Sequence, residues 1–200
     1  MKEFLKNRSY DMAKMFLNQF AISLFGLVLA MSTLMAERKT LCNVTSIFSI
    51  LFYLFLLYTM TWEFGFKDKI SVDLGKKERV PLTGFLISLC ANVPNFIFAL
   101  LMALATWFDQ PFLSSLGGFA SGAALFLEGM YTGLLSNHAW GNPLNSYWWM
   151  WFLVTVPAMA TCGLAYYLGL RDIKFTSLFN VVYPESDREP KKKFGKENKK

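Results

Sequence analysis

The chain has 200 residues, 54% of them hydrophobic, and a formal net charge of +6. The apolar residues fall in blocks of about 20, the length that crosses a ~30 Å hydrocarbon core, so a soluble domain is excluded as the whole of the protein. The ten-residue alternation of a membrane β-barrel is missing, and the positive charges flank the apolar blocks as topology signals do, which gives no reason to expect a nucleic-acid partner.

These features predict an all-α, polytopic helical membrane protein with five apolar helical segments. The membrane domain is expected over residues 1–178, with a disordered, basic, cytoplasmic tail over 179–200. Residues 1–14 are mixed and basic, and could form a short interfacial helix. The first apolar helix is expected at about 15–36. Asn18 and Gln19 enter it within its first turns, and Ser23, Gly26, Ala30 and Thr33 recur at threes and fours, a spacing that lets another backbone approach closely. A very short turn, Glu37 to Thr40, joins it to the second helix, about 41–62, as an antiparallel hairpin.

Residues 63–82 form the first hydrophilic loop, with Lys67, Lys69, Lys76, Lys77 and Arg79. With the basic N-terminus, this loop is expected in the cytoplasm, and its lysines are expected to attract anionic lipid headgroups, as are those of the tail. The third helix, about 83–107, carries Asn92-Val93-Pro94-Asn95 at its centre. Pro94 has no N–H and clashes with the carbonyl four residues back. Asn92 and Asn95 are three apart and face the same way. They can line a polar cavity or bond neighbouring helices. The last helix, about 147–170, opens on Tyr147, Trp148, Trp149 and Trp151, which suit the headgroup belt, and Pro157 is expected to kink it.

The segment between, residues 116–136, is glycine-rich and carries Glu128. Its seven large apolar residues favour insertion by roughly −3 kcal/mol, which a central acid nearly cancels; the second helix reaches roughly −5 kcal/mol with no charge. If the segment crossed, the lysine tail would lie outside the cell. A short echo bears on the same point. Trp62-Glu63-Phe64-Gly65-Phe66-Lys67-Asp68 leaves the second helix, and Tyr166-Tyr167-Leu168-Gly169-Leu170-Arg171-Asp172 leaves the last. Equivalent exits share a face, which makes two hairpins of one orientation, a parallel repeat about an axis along the membrane normal. We therefore expect four spans, with 116–136 re-entrant or interfacial. Gly118-x-x-x-Gly122 and Gly129-x-x-x-Gly133 within it are close-packing signatures, expected to hold it against other helices, another membrane protein or a second copy.

Cys42, Cys90 and Cys162 sit in different apolar blocks without a CxxC pair, and the single histidine, His138, has no partner nearby in sequence, so neither a disulfide framework nor a metal or other cofactor is expected. No catalytic motif is present, and the sequence is not read as an enzyme. Kinked helices, intramembrane amides and a carboxylate are the parts from which transporters build sites. The expectation is a small multi-pass transporter or transport component of the plasma membrane. Its candidate ligand residues are Asn92, Asn95, Glu128, Asn18 and Gln19, and the alternative is an accessory or scaffold subunit that binds another membrane protein through small-residue helix faces.

Overall fold

A computed structural model describes residues 2–35, 38–108 and 110–173. The expectations for the turn at Glu37 and for the tail lie outside the described residues. Three helices are long and apolar enough to cross a membrane, and a bent apolar pair brings the number to as many as four. The described residues are otherwise helical apart from loops, turns and one antiparallel pair of two-residue strands, β1 (His138–Ala139) and β2 (Asn142–Pro143).

Helix α1 runs unbroken over Lys2–Met35, so the basic N-terminal stretch joins the first apolar helix and is not a separate interfacial one. Helix α2 covers Lys39–Asp73, about three turns beyond the expected end. Nothing in 63–73 breaks a helix: there is no proline, the single glycine is packed, and Glu63 and Lys67 form an i,i+4 ion pair of 2.7 Å. The buried residues of α2 recur every three or four positions, from Cys42, Ser46, Ser49, Tyr53 and Leu57 to Phe64 and Asp68. Its other faces expose Phe48, Leu51 and Phe55. A helix apolar on its outer face as well as its inner one suits an apolar solvent.

The third apolar block is two helices, α3 (Thr83–Ala91) and α4 (Val93–Trp107), bent by 52°. The break falls at Asn92, two residues before Pro94. The missing N–H of Pro94 is thereby moved into the first turn of α4, where no helical partner exists for it. The last block, Trp148–Leu170, is one of the three long apolar helices and is bent less, but it too is interrupted just before its proline. Helix α7 (Trp148–Leu153) ends before Thr155, and Pro157 lies in the first turn of α8 (Val156–Leu170).

At one end of the bundle α2 and α8 leave side by side, and α8 is the helix α2 packs against most. A Cβ on Gly65 would stand 2.3 Å from the carbonyl of Tyr166, and one on Gly169 would stand 2.3 Å from that of Trp62. Each glycine thus meets the residue three before its counterpart on the other helix. The echoed segments are in reciprocal contact, as a local two-fold relation requires. The same end is tied by Asp68, whose carboxylate accepts hydrogen bonds from Tyr166 (2.6 Å), Lys77 (3.0 Å) and Arg8.

Helix α5 (Pro111–Leu127) starts at the opposite end, next to the Trp107–Trp148 ring pair, and packs antiparallel to α4, with Gly117 against Ala105 and Phe119 against Phe98. The chain breaks at Glu128, makes a tight turn over Gly129–Tyr131, and returns through α6 (Thr132–Leu135). The return is held by α1 and α2. Gly26 faces the Met130 backbone, Gly133 faces Cys42 and Ser46, and the Asn137 amide donates to Asn43 at 2.8 Å. Because Asn43 and Thr45 lie beside Thr33 at the end opposite Asp68, residues 111–137 start and finish at one end of the bundle. The segment expected as one apolar block, 116–136, is therefore a helix, a break and a short return.

Candidate functional site

The break at Glu128 and the break at Asn92 meet. Gln19, on the buried face of α1, donates from Nε2 to Asn92 Oδ1 (3.0 Å) and to Glu128 Oε1 (3.1 Å). Asn95 donates from Nδ2 to Asn92 Oδ1 (2.9 Å) and to the same Glu128 oxygen. Asn92 in turn donates to the Ser88 carbonyl at 2.9 Å, which fixes its amide so that Oδ1 faces the other two. All four side chains are at least 95% buried. Four of the five candidate residues thus form one cluster at the junction of α1, α3, α4 and α5.

Asn18 does not join it. One residue along a helix turns the side chain by about 100°, and Asn18 is exposed, its amide 3.0 Å from the sulfur of Met60.

The cluster is short of donors. Oε2 of Glu128 and Oδ1 of Asn95 are buried acceptors with no hydrogen-bond partner among the described residues. Among the described residues neither lysine nor arginine forms an ion pair with Glu128; the described ion pairs lie at the Asp68 end. Tyr53 and Tyr131 are buried, and their hydroxyls also have no hydrogen-bond partner among the described residues. Unmet buried polar groups of this kind are uncommon and call for an explanation.

Ser23 holds the break open. Its Oγ donates to the Phe126 carbonyl (2.6 Å) and accepts from the Gly129 N–H (2.5 Å), two backbone groups on either side of the break. Gly129 is needed there, since a Cβ would lie 2.4 Å from the Ser23 carbonyl. Further along the return, the Ser46 hydroxyl accepts from the Gly133 N–H at 2.9 Å. The small-residue spacing of α1 marks Ser23 and Gly26 as points of close approach, but it does not show that the Ser23 hydroxyl replaces helix hydrogen bonds. The two GxxxG pairs separate: Gly129 and Gly133 are packed, whereas Gly118 and Gly122 would meet nothing within 4 Å. The expectation of close packing against other helices of this chain is corrected for Gly118 and Gly122, which lie on the outer side of α5.

Among the described residues no three His, Cys, Asp or Glu side chains converge on a point. His138 is exposed on β1. No protein-family model, curated protein or solved structure matches the chain.

Proposed function

We propose that the chain is a four-span membrane protein acting as a small transport component, and that it takes a small cationic solute with N–H donors at Glu128. The observation that carries this reading is the buried carboxylate at two meeting helix breaks, with Glu128 Oε2 and Asn95 Oδ1 left without donors. In this reading α1, α2, the α3–α4 pair and the α7–α8 pair cross the bilayer, and residues 111–137 enter and leave it on one side. The N-terminus and the basic segment 63–82, of which 63–73 is the end of α2, then share the cytoplasmic side under the positive-inside rule.

Two amides converge on Glu128 Oε1, so one carboxylate oxygen is committed and the other is open. An ammonium group supplies both the missing donors and the missing counter-charge. Intramembrane carboxylates serve ion and substrate paths in this way. The breaks at Asn92 and Glu128 support such a site for a second reason: backbone that leaves helical geometry at membrane depth is tolerated where it is buried in protein or lines a cavity.

The accessory-subunit reading rests on a different observation, the open Gly118–Gly122 face of α5. Thermal melts of the purified protein in detergent separate the two. Methylammonium chloride is titrated against sodium chloride at matched ionic strength, with wild type and Glu128→Gln. A saturable rise in melting temperature for wild type alone supports the transport site. No response in either protein, with a membrane protein co-purifying in equal amount, supports the accessory role.

A further inference from the structure

An open groove lies on the outer side of α5. It measures about 640 Å³ and is lined by Phe16 of α1, Phe98 of α4, and Gly118, Phe119, Gly122 and Phe126 of α5. The two glycines make the room, because nothing stands within 4 Å of a Cβ at either position. The groove is apolar and aromatic, and Phe98 and Phe119 meet there edge to face at 6.4 Å between centroids.

Its inner end adjoins the polar cluster. Pro94 and Leu127 also line it, and they are the chain neighbours of Asn95 and Glu128. Phe16 sits one turn of α1 before Gln19. The groove lining and the buried carboxylate thus sit on consecutive residues of the chain, with the Glu128 and Asn95 side chains buried and not themselves part of the lining.

We infer that the solute is an amphiphilic amine, whose ammonium group meets Glu128 and Asn95 while its apolar body lies in the Phe16–Phe98–Phe119–Phe126 groove. This rests on the transport reading above and names the class of substrate. The argument for an amine over a lipid chain is charge complementarity: a neutral chain fills the trough but leaves Glu128 Oε2 and Asn95 Oδ1 without donors. Aromatic rings around the path suit a cation as well as an apolar body. Access is from the side of the bundle, between α4 and α5, since both helices present the groove outward.

The test uses the full chain in nanodiscs and three probes: methylammonium, 4-phenylbutylammonium and the neutral 4-phenylbutanol. At roughly fourfold in affinity per buried methylene, the phenylbutyl body brings a gain on the order of a hundredfold over methylammonium, even if only part of it is covered. Glu128→Gln lowers the affinity for both amines by about ten- to a hundredfold, the worth of a charged hydrogen bond. Gly122→Leu fills the groove: it removes most of the gain of the larger amine and leaves methylammonium unchanged, which also shows that the variant is folded. Equal affinity of wild type for the two amines overturns the inference and leaves the transport reading standing. So does phenylbutanol binding as tightly as the larger amine, or Gly122→Leu without effect, because the groove then holds lipid chains. Absence of amine binding altogether, or amine binding that ignores Glu128→Gln, removes the site itself.

Discussion

Ser23→Ala tests the break at Glu128 directly. The Ser23 side chain is fully buried, and its hydroxyl serves the Phe126 carbonyl and the Gly129 N–H at once. Alanine strands both groups without changing the backbone of α1. Side-chain hydrogen bonds between membrane helices average about 0.6 kcal/mol each, which sets a floor near 1 kcal/mol for two. A stranded buried donor or acceptor costs about 1–3 kcal/mol, so with two stranded groups the expected loss lies between that floor and about 6 kcal/mol. The assay is reversible unfolding in mixed dodecylmaltoside and SDS, with amide hydrogen exchange at Gly129 as the local readout. Ser32→Ala is the control, because that hydroxyl is exposed and bonds only the carbonyl one turn back, at 2.8 Å. A loss for Ser23→Ala no larger than that of the control, with Gly129 exchange unchanged, would refute the role given to Ser23.

The reciprocal glycine contact predicts that Gly65→Ala and Gly169→Ala each cost about 1–3 kcal/mol in the same assay, since the obstructing atoms are backbone and cannot swing aside. Gly118→Ala, facing open space, should change stability by no more than a few tenths of that. Asp68→Asn removes the negative charge and one of the two oxygens that Arg8, Lys77 and Tyr166 bond, and should destabilise by about 1–3 kcal/mol. A loss fully restored by moderate salt would instead mark that end as a loose surface pair.

The sequence carries much of the site in local form. Asn92 and Asn95 point the same way because they are three apart, and Glu128 stands out as the one acid inside an apolar block. What sequence spacing does not encode is which of two adjacent amides turns inward. Asn18 and Gln19 look alike in the sequence, and only the packing of α1 against α3 and α5 selects Gln19. The breaks are legible as prolines but misplaced by about two residues, because a helix can restart so that Pro94 or Pro157 falls in its first turn. Asp68 is further from reach. Its partners are 60 residues before it, 9 after it and 98 after it, and no local period links them. The echoed exits are the opposite case, since the small residue the sequence repeats is the atom-scale reason that α2 and α8 can touch.

Every functional inference depends on the chain turning back at Glu128. Single cysteines at Gln110, Ser136, Asn145 and Lys76, in a chain with Cys42, Cys90 and Cys162 replaced by serine, can be labelled with a membrane-impermeant maleimide in sealed, uniformly oriented vesicles. Gln110, Ser136 and Asn145 should react from one side and Lys76 from the other. Labelling of Gln110 and Ser136 from opposite sides would contradict the turn, and with it the placement of Glu128 at the meeting point of the two breaks.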